Sequence, residues 1–352
     1  PSFHIWQAYS LLVSWGKLWS AWEEAQEKPA KLKTFFQQKL AECYEESRDV
    51  PDTELLMAQR EDFPPGRIPR GAYLLTAAVD VQGDRLEYAV WGWGPGGSGW
   101  LVDRGVISGN PEHPHVWNTL QKRVVMGKFE GPDGQLIGVR LTAVDSGYLT
   151  HMAYRFARGN PGVIVIKGDD NPNAPFLGTG RQVKASNETA MLYHVGTHPL
   201  KSLLYHSLKL TLEGPDPMTG LWRTGAQHFP INCDQTFFEQ LTAESLKEIE
   251  DKYGRMKLQW VKPSGARNEQ MDLWVYARAV AEGMEQGGLS SWSYPGHVWS
   301  AIMEEFGAKP EGAQLDLASH WQGIGAAGQP DAPAQVEEPA GKRGKMKFRG
   351  RD

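Results

Sequence analysis

From Ala72 onward, apolar residues come in short β-rich runs separated by turn residues. Tyr73–Val79 is almost wholly apolar and ends at Asp80. Gln82-Gly83-Asp84-Arg85 then turns the chain into a second run, Leu86–Trp93. Gly94-Pro95-Gly96-Gly97 breaks that run, and a third follows at Trp100–Ile107. Three strands joined by short turns predict an antiparallel meander. Downstream the period lengthens. Pro111–Val125 reads as a helix and Leu141–Val144 as a short buried strand ending at Asp145. Leu149–Ala157 is again helical, and Val163–Ile166 is a strand ending at Lys167. Residues 168–187 are polar and are expected as one loop, far longer than the usual four to six or so residues. Pro199–Leu210 and Glu269–Glu282 read as helices.

The order β-β-β-α-β-α-β, followed by helices, predicts an α/β fold with a mixed sheet. A three-strand antiparallel meander followed by αβαβ, flanked by helices, is the ribonuclease H-like plan; a pure βαβ chain would not begin with hairpins. Upstream, residues 1–50 read as helical. Trp15, Leu18, Trp19 and Trp22 fall at helical spacing, and Pro29 can open a second helix through Tyr44. Residues 51–71 hold four prolines and no long periodic run, which predicts a linker. The main domain is therefore expected over 72–287. An extension follows over 288–352, in which the Gly, Ala and Pro of residues 323–341 predict disorder.

Composition narrows the class. The 352 residues contain 40% hydrophobic and 11% aromatic side chains, which excludes wholesale disorder. No apolar run is long enough to cross a membrane as a helix. Cys43 and Cys233 form neither a disulfide framework nor a CxxC pair. The chain opens on Pro1 with no initiator Met and no signal peptide, so it is expected to be a processed product or a piece of something longer. Charge is unevenly placed. Residues 341–352 hold six basic side chains and one acid, so the other 340 carry −10 of the overall −5. The acidic body argues against a bulk nucleic-acid coat but not against one binding groove.

Three acids stand where secondary structure can aim them at one place. Asp80 and Asp145 end strands, and strand ends in an α/β sheet form a crevice. Asp272 lies on an apolar helix face, where a bare carboxylate is costly. Three carboxylates drawn together repel, and either protonation or hard divalent cations such as Mg2+ or Mn2+ resolves the conflict. Two such ions can activate water and stabilise the leaving oxygen of a phosphodiester. Each acid alone reads more simply as a turn residue, a helix cap or a first-turn acid. Lys167, Arg181 and Lys184 are candidate contacts for a DNA backbone. Glu87 is a possible fourth acid. His113 and His115 read as loop residues and His151 as a capped or solvated side chain. The fourteen tryptophans are expected mostly to pack, Trp91 with Trp93 on one strand face and Trp15, Trp19 and Trp22 on one helix stripe. No GxxxxGK[ST] is present, so no complete phosphate-binding loop for an ATPase is expected.

These residues stand in a familiar series. The run LLTAAVDVQGDRLEYAVWGWGPGGSGWLVDRGVISG (Leu74–Gly109) resembles the start of the nuclease domain in GpA-type terminase large subunits of tailed bacteriophages. AVDSGY, VIVIKG, HFP, QLTAE and RNEQMDLWVYARA continue the resemblance in order. The opening FHIWQAYSLLVSWGKLWSAWEEAQEKPAKLKTFFQQ resembles the stretch that joins that family's motor to its nuclease. The resemblance covers roughly residues 1–285. It implies a metal-dependent endonuclease that cuts concatemeric double-stranded DNA in the host cytoplasm, with Asp80, Asp145 and Asp272 as its acidic triad. It also implies a small terminase subunit and a portal protein as partners, and makes the basic tip a candidate docking or DNA-tethering segment. Two other classes compete: a non-catalytic module that docks DNA or portal, and an actin-like ATPase. The second leaves Asp272 unexplained.

Overall fold

The computed structural model describes residues 6–9, 13–26, 29–41, 50–250, 254–283, 299 and 302–304. All of them lie in the unit Pro1–Lys309. The disordered stretch and basic tip expected beyond residue 304 fall outside the described residues, as does Tyr44.

Helices α1 (Trp15–Gln26) and α2 (Pro29–Phe35) come first, and a π-helical turn, Phe36–Leu40, extends the second. Leu18, Ala25 and Phe35 form a small core between them. Trp22 packs against Phe35 with ring centroids 5.2 Å apart. Trp15 and Trp19 do not follow the expectation of packing: they are 69% and 62% exposed. Residues 51–71, expected as a linker, contain helix α3 (Thr53–Ala58). Asp52 caps it by accepting from the amides of Glu54 and Leu55. Leu56 is fully buried in the main core, which is worth about 2 kcal/mol. Glu61 ties the same stretch down further on: its carboxylate meets Nδ1 of His228 at 2.6 Å. The prolines hid a segment that is part of the folded body.

The meander is present as β1 (Leu74–Val81), β2 (Arg85–Trp93) and β3 (Gly99–Ser108). The chain continues through α4 (Pro114–Leu120), a π-helical turn Gln121–Val125, and a hairpin of β4 (Lys128–Glu130) and β5 (Leu136–Gly138). Then come β6 (Leu141–Asp145), α5 (Thr150–Gly159) and β7 (Val163–Asp169). The long polar loop expected over 168–187 is interrupted by β8 (Arg181–Ala185), whose partner is β9 (Glu188–Gly196). Helix α6 (Thr197–Glu213), β10 (Gln227–His228), α7 (Gln235–Leu241), a hairpin of β11 (Ser245–Glu250) and β12 (Met256–Val261), and α8 (Glu269–Gly283) complete the described chain.

Eight strands form one mixed sheet in the order β10-β3-β2-β1-β6-β7-β9-β8. β1, β2 and β3 are antiparallel neighbours, whereas β6, β7 and β9 run parallel to β1. Side chains alternate between the two faces. One face, carrying Leu74, Ala78, Ala89, Trp91, Trp93, Ala143 and Ile166, packs beneath α6 and α8. The other, carrying Leu75, Ala77, Val79, Val90, Val144 and Val165, packs against α4 and α5. Trp91 and Trp93 stack with centroids 5.8 Å apart on the α8 face. At the turn after β2 the backbone passes so close to Gly71 that a Cβ on Gly94 would lie 2.2 Å from the Gly71 carbonyl oxygen. Helix α8 is buried on almost every side. Three polar bonds key it to the sheet. Thr76 donates to the Ala277 carbonyl at 2.8 Å, Trp274 to Gln227 at 2.9 Å, and Arg278 to the Gly97 carbonyl at 3.0 Å.

Candidate active site

β1 and β6 pair in parallel with Ala78 opposite Ala143 and Val79 opposite Val144. Asp80 and Asp145 extend that register by one residue, so they leave neighbouring strands side by side. Alternation puts both on the face of Ala78 and Ala143, the one covered by α8. Asp272, in the first turn of α8, descends on the same edge.

The electrostatics reflect this convergence. Burial pushes the Asp80 carboxyl up to about 6, and the charges of Asp145, Glu87 and Glu269 add to the rise. A hydrogen bond donated by the Gln82 side chain opposes it. Asp272 is pushed up to about 7, again chiefly by burial, with Glu244, Asp80 and Asp145 raising it and Lys201 holding it down. Asp145 is raised by burial and eased by the amides of Gly147 and Ser146 and by Lys167. The Gly147 N–H donates to its Oδ1 at 3.1 Å. The Tyr276 hydroxyl, one turn beyond Asp272, is pushed well up by burial and then by Asp145, Asp272, Asp80 and Glu244. It keeps its proton at neutral pH.

Asp272 is oriented by a network. The Asn268 side-chain amide donates to Asp272 Oδ2 at 3.0 Å and to Glu244 Oε1 at 2.8 Å. Lys201, buried on α6, donates to the same Glu244 oxygen at 2.7 Å. Glu87, the possible fourth acid, is the cross-strand partner of Asp80. Both Arg85 and Arg267 already occupy it, at 2.7 and 2.6 Å.

The donor set suits a hard cation: carboxylate oxygens that burial makes hard to ionise, with neighbouring acids adding to the effect at Asp80 and Asp272. Among the described residues, however, no three acidic, histidine or cysteine side chains are drawn up tightly enough to surround an ion as they stand. Asp80, Asp145 and Asp272 thus fit a metal in charge and chemistry, though as they stand they do not form a ligand set.

The basic candidates spread out. Lys167 is exposed near the end of β7; alternation from Ile166, the partner of Asp145, starts it on the opposite face, yet its charge is felt at Asp145. Arg181 shares that opposite face through its register with Leu192, and its guanidinium lies 3.1 Å from His194 Nε2. Lys184 is on the acid-bearing face but on the outermost strand, four positions from β1. Arg85, Lys201, Glu244, Arg267, Asn268 and Tyr276 all surround the acids and were not singled out by sequence reasoning. For Asn268 and Tyr276 a signal existed: they are one helical turn either side of Asp272.

Comparisons with known proteins give the family of the chain. The family model described as "Terminase large subunit gpA, endonuclease domain" matches residues 1–288. The chain is 32% identical over 318 residues to the terminase large subunit of Escherichia phage lambda, covering 87% of this chain and 47% of that protein. It is 31% identical over 287 residues to the terminase large subunit of Enterobacteria phage P21, covering 79% and 43%. The chain spans about half the length of these curated relatives.

Proposed function

We propose that this chain, which belongs to the endonuclease-domain family of the gpA terminase large subunit, hydrolyses phosphodiester bonds of concatemeric double-stranded DNA during phage genome packaging. The observation that carries the reading is the meeting of Asp80 and Asp145, on adjacent parallel strands, with Asp272 from the covering helix. The strand order β3-β2-β1-β6-β7, antiparallel on one side of β1 and parallel on the other, supports a ribonuclease H-like fold. A small terminase subunit, a portal protein and the host cytoplasm are the setting this function implies.

Asp80, Asp145 and Asp272 are the residues that would hold Mg2+ or Mn2+, two ions in this reading. When bound, such ions supply a water acidic enough to ionise near neutral pH and a counter-charge for the leaving oxygen. The chain's own part is preorganisation. Gln82 orients Asp80, the Gly147 amide orients Asp145, and Asn268 orients Asp272. Burial keeps all three carboxyls short of counter-charge until a cation arrives.

The test is plasmid cleavage in Mn2+, Mg2+ or EDTA, run beside Asp80→Ala and Asp145→Ala. Cleavage is expected with either metal and absent in EDTA and in both variants. Mn2+ at about 100 times its dissociation constant should also stabilise the wild type by about 2.7 kcal/mol and leave Asp80→Ala unmoved. Cleavage by Asp80→Ala would overturn the assignment. Duplex binding with neither cleavage nor metal-dependent stabilisation would favour a non-catalytic docking module instead.

A further inference from the structure

Beside Asp80 sits a second group of charges that the acidic centre does not explain. Glu87 lies directly across from Asp80 on β2, and its side chain is 3% exposed. One of its oxygens, Oε1, accepts from Arg85 Nε and from Arg267 Nη2. Glu269, in the first turn of α8, accepts from Arg267 Nε at 3.1 and 3.2 Å, and its carboxylate lies 3.8 Å from Arg85 Nη2. Two guanidinium groups, far apart in sequence, are thus held by two largely buried carboxylates next to the candidate centre.

An arginine near a crowded acid would ordinarily pair with that acid. Here neither does: the polar partner of Asp80 is Gln82. Glu87 and Glu269 hold the arginines close to Asp80 but engaged elsewhere, which leaves the Asp80 oxygens available. A guanidinium carries five N–H donors in a rigid fork. Arg267 spends its Nε donor on Glu269 and one Nη2 donor on Glu87, and its side chain is 50% exposed. Its Nη1 donors make no hydrogen bond among the described residues. A buried carboxylate that fixes an outward-facing fork is the arrangement that suits an anion with paired oxygens, and a phosphodiester is such an anion.

We infer that Arg267, supported by Arg85, is a phosphate-backbone contact for duplex DNA beside Asp80, with Glu87 and Glu269 as its positioning residues. The inference rests on the proposed endonuclease function for the identity of its ligand. It puts the backbone contact at the acid-bearing edge, not on Arg181, which faces the other side of the sheet.

The structure contains its own control. On the opposite face Arg155 and Arg158 clamp Glu188 at 3.0 and 2.8 Å, also with exposed guanidiniums. The experiment is a fluorescence-anisotropy titration of a short duplex in EDTA, across a series of salt concentrations. Wild type, Arg267→Gln, Arg267→Lys and Arg155→Gln are compared. Arg267→Gln is expected to weaken binding about tenfold and to reduce the slope of log Kd against log salt by about one. Arg267→Lys should keep most of the slope and lose part of the affinity. Arg155→Gln should match wild type in both. Phenylglyoxal labelling of the wild-type protein gives a readout that needs no variant: Arg267 should react in the free protein and be protected by duplex. An unchanged salt slope in Arg267→Gln, an equal loss in Arg155→Gln, or no protection would each overturn the inference. If wild type binds and cuts while Arg267→Gln behaves identically, the inference alone falls. If wild type neither binds nor cuts, the proposed function falls and takes the inference with it.

Discussion

Replacing Asp80 by Asn should make the metal-free protein more stable at pH 8. The folded state holds the Asp80 carboxyl near pKa 6, against 3.8 as the ordinary value for the unfolded chain. A raised carboxyl pKa means that the folded state binds a proton which the unfolded state has already released. Its contribution to stability is whole below about pH 3.8 and is lost as pH rises through about 6. At about 1.4 kcal/mol per tenfold change in proton affinity, the ionised carboxylate costs about 3 kcal/mol by pH 8. Asp80 is buried, so solvent screening removes little of this. Asn keeps the shape and an oxygen that can accept from Gln82, yet carries no charge to repel Asp145, Glu87 or Glu269. Asp272 relaxes too, because the Asp80 charge contributes to its rise. Urea unfolding in EDTA at pH 5 and pH 8 measures the effect. The variant should exceed wild type by about 3 kcal/mol at pH 8, and the gap should narrow by roughly half at pH 5, where Asp80 is mostly protonated. A gap that does not change with pH, or a variant less stable than wild type at pH 8, would refute the account of a repulsive acidic centre.

Two further outcomes follow from buried groups away from the three aspartates. Lys201→Met leaves Glu244 buried with its ammonium partner gone, and should cost about 3–5 kcal/mol in urea unfolding at pH 7; adding Glu244→Gln should recover much of that loss, and no recovery would mean that the lysine acts through packing alone. Leu56→Ala, in the stretch expected as a linker, should cost about 2–5 kcal/mol in the same assay, and a loss below about 0.5 kcal/mol, as at an ordinary surface site, would return residues 51–71 to the status of a tether.

The strands that build the acid-bearing edge were legible because each is short, apolar and bounded by strong turn signals. Tyr73–Val79 and Leu141–Val144 both stop at an aspartate, and the two strands that carry those acids are the ones that pair. β8 and β9 were not legible for the opposite reason. The side chains of β8 are mostly exposed, and β9 mixes buried Leu192 and Val195 with exposed Thr189 and Met191, taking its place from the neighbouring edge of β7. β12 does alternate, with Met256, Leu258 and Trp260 against Lys257 and Gln259, but its partner β11 carries Lys247, Glu248 and Glu250 and offers no matching apolar run. α3 escaped notice because it is one and a half turns long between prolines, with Asp52 as its only signal. The three acids could be read one by one from their places at element ends. Their neighbours could not: Arg85 and Glu244 lie in runs that carry the family resemblance without themselves standing out as site residues, and Lys201 lies in a helix that reads only as packing.

The three bonds that key α8 to the sheet bear on how this protein can change over evolution. A helix buried on almost every side has no greasy stripe to set its rotation, and apolar packing alone tolerates more than one angular setting. A slip of one residue would advance α8 by about 1.5 Å and turn it by about 100°, which swings Asp272 away from the strands. Thr76, Gln227 and Gly97 accept only one setting, because each meets a single complementary group on the helix. Residues from about half a turn to under two turns along α8 from Asp272 therefore bear on its alignment. Volume-conserving drift among the aliphatic neighbours of α8 should be cheap, while drift at the fully buried Trp274 or Arg278 would cost both aim and stability.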